Sequence, residues 1–297
     1  MSRVIAALAF AALWGATPIA DADEVGLVGQ PAPELQTKEW INSDGRTRVA
    51  DFKGEVLLVE AFATWCGPCR SQMPHLTELV KKYGKKGFNV LSITNESRET
   101  VLKYMAQLNT ADIGYTIGLK GGHGGFKTQY IPHAWLVGVD GTVLWQGNPG
   151  GLSDKAIEAE LKKIEKPSDE ILEAKASKGI AFAESLVKEN DLLQAAEVLD
   201  RIAARYKGTE GATKAAARLA ELETDQSTAT EFAAQQQVAK LVGCAELPKD
   251  KVKDKSRKSI ASKLEKLIEE NQGKNPGAVA LAETWRKVMI EDWSAEK

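Results

Sequence analysis

Glu55-Val-Leu-Leu-Val-Glu-Ala-Phe62, followed after two residues by Trp65-Cys66-Gly67-Pro68-Cys69, decides how this chain is read. The first run predicts a buried strand with one acid, Glu60, set inside it, and residues 70–83 predict a helix. A strand, a tight turn and a helix put Cys66 at a helix N-terminus. Peptide dipoles and free N–H groups there favour a thiolate. Two cysteines at this spacing form a reversible dithiol/disulfide pair, so the motif points to thiol–disulfide exchange.

Other uses of the two thiols fit less well. A structural zinc site needs four Cys/His ligands, and the third and last cysteine, Cys244, lies far downstream. A copper carrier would want a different cysteine spacing and a histidine partner. A purely structural disulfide gains little from closing so short a loop. The expectation is no metal and no cofactor beyond the Cys66–Cys69 disulfide.

The chain has 297 residues, net charge −2 and 43% hydrophobic residues. That is long enough for two domains, and no basic face suggests nucleic acid as a partner. Residues 1–22 read as a signal peptide. Arg3 is the positive n-region, residues 4–14 are apolar, Pro18 ends the run, and Ala20-Asp21-Ala22 offers a cleavage site. The alternatives are an uncleaved membrane anchor, for which the run is short, or secretion. The expected address is a bacterial periplasm, where such a pair oxidises unless something keeps reducing it.

Residues 23–166 read as one α/β domain. After a Pro31/Pro33 lead-in, Ser43-Asp44-Gly45 predicts a hairpin turn between Trp40-Ile41 and residues 47–52. Residues 88–94 predict a second buried strand, and Ser97 caps a helix over 100–108. Residues 118–125 read as a flexible glycine-rich loop, because Phe126 interrupts a P-loop pattern. Asp140-Gly141 turns a hairpin between 134–139 and 142–146, and 152–164 predict a helix. Pro167-Ser168 opens a second domain, 167–297, that is all α. Its Ala196/Leu199/Ile202 spacing returns as Ala261/Leu264/Leu267, the pattern of a small TPR-like solenoid, although chance likeness between alanine-rich helices explains the echo too. Residues 249–258 read as a solvated loop. His75 and His123 read as surface residues, and Cys244 as a small buried hydrophobe.

Residues 31–164 resemble the thioredoxin fold and, within it, the exported TlpA/ResA-like thiol–disulfide oxidoreductases. Trp65-Cys66-Gly67-Pro68-Cys69-Arg70 matches the motif, and Pro74 stands five residues past Cys69 where thioredoxins kink the helix. Glu60 occupies the buried-acid position and Pro132 that of the cis-proline beside the disulfide. Two positions depart from the pattern: Gln72 stands where a glutamate is frequent, and His133 follows the proline. The fold class expected is an α/β thioredoxin-like sandwich followed by a helical domain.

The resemblance implies roles. Cys66 attacks a partner disulfide and Cys69 resolves the mixed disulfide, with Glu60 as the base, through a water. Gly67-Pro68 is the dipeptide of strongly reducing members. Trp65, Ile131 and Pro132 would contact an extended substrate. His133 either faces the thiols, steadying the Cys66 thiolate, or is exposed or backbone-bonded. The expected partners are a protein disulfide and a membrane thiol reductant as electron donor. A competing reading is a redox-sensing scaffold whose helical domain recruits a protein, and a third is an oxidase or isomerase.

Overall fold

A computed structural model describes residues 26–108, 113–243 and 254–290. Residues 1–22, read from sequence as a signal peptide, and Cys244 lie outside the described residues. Among the described residues, β1 (Glu39–Ile41), β2 (Val56–Ala61), β3 (Phe88–Ile93), β4 (Thr116–Leu119), β5 (His133–Val137) and β6 (Val143–Gly147) form one sheet. Its order is β1-β4-β3-β2-β5-β6. Strands β2, β3 and β4 run parallel, while β5, β6 and β1 pair antiparallel.

Every residue of β2 and β3 is buried, which suits apolar runs covered on both faces. On one face Val56, Leu58 and Phe62 meet Leu76 and Leu79 of α1 (Gly67–Tyr83). On the other, Leu57 and Val59 meet Trp135 and Phe126. Fully burying a side chain of this size contributes about 1.5–3 kcal/mol, so both layers fix the strand that carries the motif. α2 (Arg98–Leu108) and α3 (Asp154–Leu161) complete the layer.

Two expectations change here. The segment after Asp44-Gly45 is no hairpin strand. β1 pairs with β4 instead, and Val49–Phe52 form a 3-10 turn. Carboxylates bind the N–H groups that a strand would have used: Asp51 accepts from Thr47 and Arg48, and Glu34 from Val49 and Ala50. Nor is the glycine-rich segment a loose loop. Gly118 sits in β4, where an added Cβ would fall 2.6 Å from Thr37, and one on Gly121 would fall 2.2 Å from the Gln36 carbonyl. These glycines let the lead-in cross against the sheet.

Ser168 caps the next helix through the Ile171 N–H. Beyond it, α4 (Asp169–Lys188), α5 (Leu192–Arg205), α6 (Glu210–Thr224), α7 (Ala229–Gly243), α8 (Asp254–Asn271) and α9 (Pro276–Ile290) follow. Residues 254–258, read from sequence as loop, begin α8. Leu199 and Ile202 centre one helical core, and Leu264 centres another.

The helical half meets the α/β half through polar groups. Arg205 and Lys175 donate to Glu55 at 2.9 and 2.6 Å, and Arg46 joins them at 2.9 Å while also gripping Asp44. Asn89 accepts from both arginines at 3.0 Å. Gly45 and Gly179 touch so closely that a Cβ on Gly45 would lie 2.6 Å from the Gly179 Cα.

Candidate active site

β2 ends at Ala61, and the chain then turns so that the Cys66 N–H meets the Ala63 carbonyl at 3.1 Å. Cys66 is the N-cap of α1, and its Sγ accepts the Cys69 N–H at 3.1 Å. Pro68 fits the first turn, where a missing N–H costs nothing. The two sulfurs are bonded, with Cα atoms 5.2 Å apart. Cys69 is wholly buried and Cys66 retains only 5% exposure, less than an open attacking position suggests. In this oxidised form the Cys66 sulfur is folded back over the first turn of its own helix.

Trp65, by contrast, stands 73% exposed beside the disulfide, and Gly67 has open space where a Cβ would be. The Ile131–Pro132 bond is cis, and Ile131 packs on the core cluster that contains both cysteines. Exposed Tyr130 adds a second aromatic just before it.

Glu60 lies in β2 between Ser92 and Ala134, 1% exposed. It shares a strand face with Val56 and Leu58, the side covered by α1 and Cys69. Ser92 donates to Oε2, whereas Oε1 has no partner among the described residues. Burial raises this carboxyl to about 7, and the Ser92 hydrogen bond only partly opposes it. Tyr115 is also buried, its hydroxyl pushed well above the usual range by burial and by the Glu60 charge.

His133 is placed elsewhere. Strand alternation puts it with Trp135, on the opposite sheet face from Ala134 and the cysteines. Its ring packs between Tyr130 and Trp135, with centroids 4.9 and 4.6 Å away. It is 6% exposed, and neither nitrogen has a hydrogen-bond partner among the described residues. Burial lowers its pKa. It therefore neither faces the thiols nor opens to solvent nor bonds the backbone. His75 and His123 are half-buried rather than surface residues, with buried Nε2 atoms.

Glu96 was not singled out by sequence. Its carboxylate takes the Thr64 N–H at 2.8 Å and the Thr64 hydroxyl at 2.6 Å, anchoring the loop that delivers Trp65 and Cys66. Thr94 adds a third bond at 2.9 Å. The available signal was an acid two residues past a strand-ending threonine, a spacing that invites a local turn.

The AhpC/TSA family model matches residues 28–130. The thiol-disulfide oxidoreductase ResA of Bacillus thuringiensis subsp. konkukian (strain 97-27) is 26% identical over 140 residues, covering 46% of this chain and 78% of that protein. The thioredoxin-like protein YneN of Bacillus subtilis (strain 168) is 30% identical over 142 residues, covering 46% and 81%. A solved thiol:disulfide interchange protein of the thioredoxin family from Chlorobium tepidum TLS superposes with a TM-score of 0.33 at 25% identity, over 44% of this chain and 95% of that one. The fold and the cysteine pair define a thioredoxin-like thiol–disulfide oxidoreductase. The chain belongs to that family, in its TlpA/ResA-like branch, and carries an additional helical half.

Proposed function

We propose that this chain is an exported reductase of protein disulfides. In its reduced state the Cys66 thiolate attacks one sulfur of the partner disulfide, forming a mixed disulfide and releasing the partner's other sulfur as a thiolate. Glu60 accepts the Cys69 proton, through a water. The Cys69 thiolate then attacks Cys66, closing the Cys66–Cys69 bond and freeing the partner with both sulfurs reduced. Two electrons leave this chain, and a membrane thiol reductant returns them. The working group is the cysteine pair itself, with no further cofactor.

The observation that carries the reading is Glu60: a wholly buried carboxyl poised near 7 on the sheet face that α1, with Cys69, covers. A base with that pKa takes a proton near neutral pH and returns it in the next cycle. Trp65, Gly67, Pro68, Ile131 and Pro132 form the rim that an extended substrate segment would meet. His133 supports that rim from below, through its contact with Tyr130. Export rests on the features of residues 1–22, and the direction of transfer on the Gly67-Pro68 dipeptide.

The test is trapping in the full chain. Cys69→Ala should accumulate mixed disulfides through Cys66, resolvable by mass spectrometry. If insulin reduction proceeds in that variant without adducts, the attacker and resolver assignments are wrong. A scaffold role without exchange would show as partner binding unchanged in Cys66→Ser.

A further inference from the structure

The polar junction of the two halves opens into a cleft of about 1400 Å³, at the opposite end of β2 from the disulfide. Glu55 and Asn89 on its wall flank the starts of β2 and β3. Cys66 follows the far end of β2, roughly 20 Å away at about 3.3 Å per residue. The cleft is therefore a separate feature of the molecule.

Its charge is uneven. Two carboxylates on the floor, Asp44 and Glu55, are shared among three cations, Arg46, Lys175 and Arg205. Arg46 is nearly sealed from water, so one surplus positive charge sits in a region where screening is weak. Tyr206 lines the cleft beside these groups, and its buried hydroxyl has no hydrogen-bond partner among the described residues. Around the mouth, Lys53, Lys85, Lys86 and Lys166 line the cleft without a carboxylate partner among the described residues, and they outnumber the two acids there, Asp140 and Glu165. The whole chain carries net charge −2, which makes this concentration of cations a local property.

Apolar side chains separate floor from rim: Val80, Val139, Ile164, Ile171 and Leu172 contribute to the wall. The volume exceeds the roughly 300–1000 Å³ of sites built for one small molecule. Its cationic mouth runs along an apolar wall rather than closing on a point.

From these features we infer that the cleft is a docking site for an acidic peptide segment of a protein partner, with carboxylates at the lysine rim and apolar side chains on the wall. One carboxylate reaches the surplus charge on the floor at Arg205, the floor cation whose side chain is most open to solvent. Charge complementarity selects this occupant, and the inference stands independently of the exchange chemistry.

The test uses the full-length oxidised chain and a fluorescein-labelled dodecapeptide of alternating Glu and Leu, read by anisotropy. Binding should occur, and should weaken on the order of tenfold between low and moderately high salt. The variant Lys85→Ala/Lys86→Ala/Lys166→Ala should bind about eightfold more weakly, roughly twofold for each exposed cation removed. These positions are on the surface, so the far-ultraviolet spectrum should be unchanged. Lys263→Ala/Lys266→Ala in α8, away from the cleft, should bind as the parent does, and so should Cys66→Ser. The proposal is overturned if the Glu–Leu peptide does not bind, or if a Lys–Leu peptide binds equally well. It also fails if the triple variant keeps full affinity, or if inorganic phosphate at matched concentration displaces the peptide, which would make the cleft a small-anion site.

Discussion

Glu55 and Glu60 stand five positions apart on one chain segment, one just before β2 and the other inside it, yet burial has opposite consequences for them. Burial alone would raise both carboxyls. Around Glu55 that tendency loses to Arg46, Arg205 and Lys175, which pull it down to about 2. Around Glu60 only the Ser92 hydroxyl opposes it, and the carboxyl rises to about 7. The contrast teaches that the partners, not the burial, decide what a buried acid does. Glu55 is permanently charged and ties two halves of the protein together. Glu60, its carboxyl near 7, is able to gain and lose a proton on the sheet face that α1 covers.

The most severe way to probe this contrast is to remove the chemistry from one end only. Cys66→Ser should bring insulin disulfide reduction to background while leaving the far-ultraviolet spectrum unchanged. Next in size is Glu55→Ala, which leaves Arg46 buried without one of its two carboxylates. A loss of about 3–5 kcal/mol is expected from urea denaturation, with the motif end still able to form its disulfide.

Acid–base behaviour separates the two ends by sign. Glu60 has a folded pKa above its unfolded value near 4.5, so the folded state holds the extra proton between those pH values. Its stabilising contribution is complete below pH 4.5 and is lost as pH rises through 7, an effect of about 3 kcal/mol. Glu55 behaves conversely: its contribution is present above pH 4.5 and is lost as pH falls toward 2. Stability of the oxidised chain between pH 4 and 8 should therefore slope downward in the parent and flatten in Glu60→Gln. The smallest effect belongs to Trp65→Ala. An exposed ring removed from the surface should shift stability by no more than about 0.5 kcal/mol, while raising KM for a protein disulfide severalfold.

What sequence disclosed and what it hid follow the same division. Cys66 and Cys69 were legible from their spacing and Glu60 as an acid inside an apolar run, whereas the place of Pro132 beside the disulfide came from the family resemblance. The Glu55 cluster was not, because Lys175 and Arg205 are 120 and 150 positions away and each looks like any solvated helix charge. The strand expected over 47–52 failed for a related reason. Glu34, from the lead-in, captures the Val49 and Ala50 N–H groups and bends the segment into a 3-10 turn. His133 could not be assigned a face, since β5 is buried on both sides and its composition carries no alternation to set the phase. The glycines over 118–125 signalled freedom in sequence, whereas the packed chain uses them for close approach to residues 34–37.

The role proposed for Glu60 is to accept the proton of Cys69. Its most direct test is the pH dependence of single-turnover reduction of a protein disulfide by the reduced full chain, parent against Glu60→Gln, with resolution of the mixed disulfide followed in time. An inflection near pH 7 is expected in the parent and should disappear in the variant, with resolution slowed on the order of a hundredfold. An inflection of the same position and size in both proteins would contradict it.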